Sequence, residues 1–292
     1  MAEGKGLRVG GEAGFIAAMA IWGTIGLFVR WIDAPSALIA CARGFIGAGF
    51  LLAFLFAIGK GISPAAFHGK GLVLALSGAL IGLNWVFLFE AYRYTTVAIA
   101  TVCYYLAPIF VMLASPFAFR ERLTLGKTAC AAVAFAGMAL VSGVLENGLP
   151  TLADSRGILC AVAAAVLYAS VVLVNKRIED VPAWDKTLVQ LTSAALVTLP
   201  YVLLTVDFGG LELGASGLLF LLAVGVLHTG IAYALYFGSI PRMSAQRIAV
   251  LSYIDPVVAI LLSAFVLAEP LGLAGAAGAA LILGAAFLSG RL

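Results

Sequence analysis

Tyr105-Leu106-Ala107-Pro108, with Glu121-Arg122-Leu123-Thr124-Leu125 beginning thirteen residues after its proline, is met again as Tyr253-Ile254-Asp255-Pro256 and Glu269-Pro270-Leu271-Gly272-Leu273. The register between the two copies is a constant 148 residues, and Ser115 and Phe117 hold it with Ser263 and Phe265. Nearer the start the offset is 146, which sets Trp22 opposite Tyr168 and Arg30 opposite Lys176. Alanine matches mean little in so apolar a chain, whereas Tyr, Pro and Glu sharing one register are harder to obtain by accident. The chain reads as two related halves, 1–147 and 148–292, forming one integral unit.

The solvent these halves fold in follows from composition. Of 292 residues, 63% are hydrophobic and 11% charged, with a mean hydropathy of +1.13. A soluble domain is nearer half apolar and about a quarter charged. That excludes a water-soluble enzyme, a disordered chain, and a soluble domain on a single anchor. A net charge of +3 without a basic run gives a polyanion nothing to bind, so no nucleic-acid partner is expected. Cys41, Cys103, Cys130 and Cys160 form no C-x-x-C and all fall in apolar runs, as small buried hydrophobes do. Lys5 and Arg8 precede an apolar run that continues to Val29 with no A-x-A-like site after it, so this run reads as a retained first span.

Apolar runs fall at about 13–30, 36–58, 71–92, 97–119, 124–145, 157–175, 187–206, 214–237, 248–268 and 271–289. A helix needs about 20 such residues to cross a hydrocarbon core of roughly 30 Å, whereas a barrel strand needs about 10 and alternates in polarity. The expectation is an all-α membrane protein of ten transmembrane helices. With the N-terminus inside, Lys5, Arg8, Lys60, Lys70, Arg120, Arg122, Lys127, Lys176, Arg177, Lys186, Arg242, Arg247 and Arg291 fall on the cytoplasmic side. Only Arg30, Arg93 and Arg156 fall outside, among Asp33, Glu146, Asp154, Asp207, Glu212 and Glu269. This bias places both termini in the cytoplasm. Because each half then has an odd number of spans, the second inserts upside down relative to the first. Inverted repeats of this kind characterise secondary transporters, whose substrates bind near the midplane where the halves meet. Duplication in a scaffold or an intramembrane enzyme is the alternative.

Within the spans, Pro108 and Pro256 each remove a backbone hydrogen bond and kink a helix. Freed carbonyls are tolerated at that depth only where neighbours or a watered cavity satisfy them. The two prolines read as gating bends of a cavity or as plain packing kinks. Thr101, Tyr105, Pro108, Met112 and Ser115 share one helical face, repeated as Ala249, Tyr253, Pro256, Ile260 and Ser263. Trp22 and Tyr168 lie deep in their helices, away from the interfaces aromatic residues usually mark, and Trp85 is a weaker case. They line a pocket or pack in the core. Arg43, Asn84, Glu90, His228 and Asp255 are the truly polar groups inside spans; such residues face the interior and find a partner. Asn84 and His228 have the hydrogen-bonding capacity for an amino-acid substrate, or for an ordinary interhelical bond. Asp255 receives an ammonium or a proton, pairs with Arg43, or caps its own bend. Glu90 reads as a vestibule carboxylate and Arg43 as structural. Glu121 and Glu269 sit where a helix begins, which suits negative charge. Gly78-x-x-x-Gly82 and the run Gly272, Gly275, Gly278, Gly284 permit close helix contact, within the fold or between subunits.

The duplicated Y-x-x-P, the glutamate thirteen residues on, Trp22-Gly23, Arg43 and a Gly/Ala-rich last span together resemble the drug/metabolite transporter superfamily, in its EamA-type branch, over essentially the whole chain. Within that branch the chain is most similar to bacterial exporters of aromatic and neutral amino acids. Pro270, where the first copy has Arg122, departs from the pattern. The resemblance implies export of amino acids and related metabolites, broadly selected, across the bacterial inner membrane by alternating access. The candidate substrate-binding residues are Trp22, Asn84, Thr101, Tyr105, Tyr168, His228, Tyr253 and Asp255. Neither D-x-x-x-D, H-E-x-x-H nor G-x-x-x-x-G-K-[ST] occurs, so no metal, no cofactor and no catalysis is expected. The expected partners are a small-molecule substrate and the lipid bilayer, with a monomer as the assembly. Export of cationic drugs or toxic amphiphiles, with Asp255 or Glu90 as counter-charge, is the competing transport reading.

Overall fold

In hydrocarbon an unpaired backbone N–H or C=O costs several kcal/mol, so a spanning chain must close its hydrogen bonds within each segment. The computed structural model describes residues 11–29, 31–59, 69–95, 97–141, 152–178, 181–211, 213–266, 272–289 and 291. Arg30, Lys60, Glu146, Glu212, Glu269 and Pro270 lie outside them. Every regular element among the described residues is helical. The first half contains α1 (Glu12–Gly23), α2 (Ile25–Val29), α3 (Ser36–Ala57), α4 (Gly71–Tyr94), α5 (Val97–Tyr104), α6 (Ala107–Phe119) and α7 (Leu125–Val141). The second contains α8 (Ser155–Lys176), α9 (Ala183–Thr205), α10 (Ala215–Ala223), a π-helical stretch (Val224–Ile231), α11 (Ala232–Ser239), α12 (Ala245–Leu251), α13 (Ile254–Val266) and α14 (Leu273–Ser289).

Among the described residues, seven helical segments are long and apolar enough to cross a membrane: Glu12–Val29, Ser36–Ala57, Gly71–Tyr94, Ile99–Phe119, Leu152–Lys176, Ala183–Thr205 and Ala215–Arg242. The apolar runs expected at 124–145 and 271–289 yield shorter helices, and the run at 248–268 is divided between α12 and α13. The expected start at 187 moves back to Ala183, because Pro182 caps α9 and carries the buried Asp185 and Lys186 into its first turn.

The packing repeats itself as the sequence does. α4 lies along α8 as α1 lies along α11, and α9 covers α4 as the π-helical stretch covers α3. α3 and α9 pack on each other, as do α7 and α14. Gly78 and Gly82 make the α4–α9 approach possible: a Cβ added at Gly78 would sit 2.4 Å from the Gln190 carbonyl oxygen, and at Gly82 2.6 Å from that of Ala194. That G-x-x-x-G contact lies within the fold.

Interhelical contacts also sort the helix ends. At one end the α6 terminus meets that of α8, where Arg177 donates to the Ala118 carbonyl at 3.0 Å, and Arg247 binds Glu12 and Ser289. At the other, Asp33 and Asp207 border one groove, and Thr95 donates to Asp154 at 2.6 Å.

The two Y-x-x-P segments interrupt their helices at matching places. α5 ends at Tyr104 and α6 begins at Ala107; α12 ends at Leu251 and α13 begins at Ile254. Each proline therefore stands in the first turn of a restarted helix, where a missing N–H is an orphan in any case. The expected kinks are breaks. Tyr253 restores one lost backbone partner by donating its hydroxyl to the Tyr105 carbonyl at 2.9 Å.

Candidate substrate cavity

Two broken helices facing each other leave room between them. A cavity of about 160 Å³ opens at the breaks, walled by Trp22 of α1, Arg43 of α3, Trp85 of α4, Tyr168 of α8 and Tyr233 of α11, with Tyr104, Tyr105, Ser252 and Asp255 from the breaks. Repeat mates recur around this wall. Trp22 and Tyr168, Trp85 and Tyr233, Tyr104 and Ser252, and Ala107 and Asp255 all contribute.

The aromatic side is locked by its polar handles, as buried Tyr and Trp usually are. Trp22 packs 4.9 Å from the Tyr233 and Tyr236 rings and donates its indole N–H to the His228 carbonyl at 2.8 Å. Tyr168 donates to the Tyr236 hydroxyl at 2.6 Å. Behind this layer, Thr24 lies between α1 and α2 and gives its hydroxyl proton to the Ile21 carbonyl. The same hydroxyl lies 2.8 Å from His228 Nε2 and ties the α1–α2 junction to the second half. His228 sits in the π-helical stretch, a widened turn often found at functional sites.

The charged side has two separate poles. Tyr105 donates to Asp255 Oδ2 at 2.8 Å, and its ring stacks on that of Tyr253 at 5.9 Å. Arg43 lies over the Trp85 ring, 4.6 Å from its centre. Among the described residues, Arg43 and Asp255 line one cavity without forming an ion pair with each other or with any other group.

Of the residues singled out in the sequence, Trp22, Tyr105, Tyr168, Asp255 and Pro108 line the cavity, and so does Arg43. Tyr253 is buried beneath Tyr105. Asn84 is buried next to Tyr104 and donates to the Ala164 carbonyl at 2.7 Å. Thr101 lies outside the lining and takes the Tyr105 N–H on its carbonyl at 2.9 Å, and His228 lies one layer behind the wall. Glu90 binds Tyr201 and Arg93, joining α4 to α9. Glu121 accepts the Ala245 N–H at 3.0 Å and pairs with Lys176 at 3.0 Å, so it caps α12 of the other half rather than the helix that follows it. Pro256 is buried at the start of α13, and Glu269 lies outside the described residues. Tyr104, Tyr233 and Tyr236 escaped the sequence reading. The 148-residue register pairs Tyr233 with Trp85 and Tyr236 with Leu88, and carrying it through the third and eighth spans would have found both.

The model of the EamA-like transporter family matches residues 9–143 and, again, 155–291. Among curated proteins, the uncharacterized transporter YxxF of Bacillus subtilis is 31% identical over 85% of this chain and 78% of its own length. The aromatic amino acid exporter YddG of Ancylobacter novellus is 28% identical over 86% of this chain and 90% of its own. A solved crystal structure superposes with a TM-score of 0.82 at 25% identity, covering 95% of each chain.

Proposed function

We propose, since the chain belongs to the EamA-like transporter family, that it moves aromatic and neutral amino acids and related metabolites out of the cytoplasm across the inner membrane. The chain is a multi-pass membrane transporter of small molecules; its substrate, direction and mechanism are this proposal. The observation that carries it is the composition of the cavity: an aromatic wall and two unpaired poles of opposite charge in one small space. An apolar body with a zwitterionic head fits such a site, and export of aromatic amino acids by the Ancylobacter relative is in keeping with it.

The mechanism is alternating access by two inverted five-helix repeats in a ten-pass chain, 1–147 and 148–292, with both termini cytoplasmic. The repeated family match, the self-matching packing and the paired breaks support this reading. The breaks at Pro108 and Pro256 supply the bending points beside the substrate, where irregular backbone lines the cavity. Trp22, Tyr105, Tyr168 and Asp255 contact substrate; His228 holds Trp22 in place and Tyr253 holds Tyr105. Export of lipophilic cations is the competing reading, which Asp255 favours and Arg43 on the same cavity opposes.

Flux of labelled phenylalanine and leucine into proteoliposomes tests the assignment. Saturable uptake, blocked by excess unlabelled amino acid and absent from protein-free vesicles, is expected. A folded protein that moves tetraphenylphosphonium and neither amino acid would overturn it. The same vesicles under an imposed pH gradient distinguish a facilitator, which is indifferent to it, from a proton exchanger, which accelerates.

A further inference from the structure

A buried guanidinium is normally paired, because leaving the charge without a partner is among the most destabilising arrangements in a protein. Among the described residues Arg43 has no carboxylate within ion-pair distance, and its Nε has no hydrogen-bond partner. Its plane rests on Trp85, and α3 is pressed into place beside it, where a Cβ on Gly44 would meet Ala195 at 3.0 Å.

The repeat shows what the position does when it is only structural. Pro35 caps α3 as Pro182 caps α9, a register of 147 that sets Gln190 opposite Arg43. Gln190 is tied into the core, donating to Ser77 at 2.8 Å and to Asn175 at 3.0 Å. At offsets of 148 and 146, the mates of Ser77 and Asn175 are Gly225 and Val29, neither of which carries a side-chain acceptor. The second half uses this position to knit three helices. The first half puts a cation there, removes its partners and turns it to the cavity.

At Asp255, on the same cavity, the situation is reversed. Asp255 receives one oriented hydrogen bond, from Tyr105 to Oδ2, and its other oxygen has no protein partner among the described residues. Arg43 is a planar donor fork suited to a carboxylate; Asp255 is an acceptor suited to an ammonium.

We propose that Arg43 binds the substrate's carboxylate and the Tyr105–Asp255 pair its ammonium, so that the cavity selects α-amino acids in one orientation, side chain against Trp22, Tyr168 and Tyr233. This assignment rests on reading the cavity as the transport site. It makes both head groups recognition elements, and excludes cations or monocarboxylates of the same shape as good substrates.

The test uses three probes of one shape: phenylalanine, 3-phenylpropionate, which lacks the ammonium, and phenethylamine, which lacks the carboxylate. Binding to the purified full-length protein is followed by quenching of tryptophan fluorescence, since Trp22 and Trp85 line the cavity. Phenylalanine should bind on the order of tenfold more tightly than either truncated probe, as a lost charge-assisted hydrogen bond implies. In Arg43→Gln, phenylalanine should fall to the phenethylamine level while phenethylamine itself is unchanged. In Asp255→Asn, phenylalanine should fall to the 3-phenylpropionate level with that probe unchanged. Should either variant fail to fold, Arg43→Lys keeps the charge but loses the fork, and Tyr105→Phe keeps the carboxylate but loses its orientation. Each should weaken phenylalanine selectively, to a smaller degree. Equal weakening of all three probes in these variants, an unaltered preference, or no phenylalanine binding by the unmodified protein would overturn the assignment. Loss of the probe pattern in Arg43→Gln together with absent amino-acid flux would instead leave the polarity intact and reject the transport reading.

Discussion

Tyr105 and Tyr253 occupy the same register position, yet their hydroxyls do different work. Tyr253 is fully buried and satisfies a carbonyl that the helix break has released. Tyr105 reaches past the break and orients Asp255. Tyr253→Phe should therefore cost about 1–3 kcal/mol of stability, the usual consequence of leaving a buried acceptor without its donor. The check is a lowered melting temperature in detergent. Tyr105→Phe should cost closer to about 1 kcal/mol and instead reduce amino-acid flux. Equal loss of stability in the two variants would contradict this division. Both tyrosines were visible in the sequence because proline marks their position twice. Thr24 and Tyr236 were not, since a threonine and a tyrosine in an apolar run carry no sign of which neighbour they will meet.

Helix contacts turn on where backbone approaches backbone. A Cβ at Gly78 has no room against α9, whereas at Gly284 of α14 it meets nothing within 4 Å. Gly78→Val should destabilise by about 1–3 kcal/mol through overpacking, and Gly284→Val should be near neutral, both read from thermal aggregation in detergent. The small-residue pattern marked both glycines equally. Only the arrangement of helices separates a contact from a lipid-facing or open position. The same limit explains the breaks. Hydropathy registers that 97–119 and 248–268 are apolar, but it is blind to backbone hydrogen bonding, so interrupted segments read as continuous spans. Lys186 misled the other way: its charge put the expected start at 187, and Pro182 started the helix regardless.

At the scale of the molecule, helical character and membrane setting were legible in composition, because each is a sum over many residues. Cavity polarity was not, because it depends on what a single guanidinium lacks. Sidedness remains a matter of charge: Arg120, Arg122, Arg177 and Arg247 gather at the end where Glu121 meets Lys176, and Asp33 and Asp207 at the opposite one. Single cysteines in a background free of native ones test the orientation. Gly209→Cys should react with an impermeant maleimide in intact cells, and Arg177→Cys only after permeabilisation; the reverse pattern would refute cytoplasmic termini. The basic end carries a further consequence. There, Glu121, Lys176 and the first turn of α12 clasp the first half to the second, with Arg247, Glu12 and Ser289 alongside. A passage open to both faces at once would drain the voltage stored across the bilayer; under the proposed alternating access, this clasp is the contact that has to hold whenever the opposite end opens, and to part only when that end has closed.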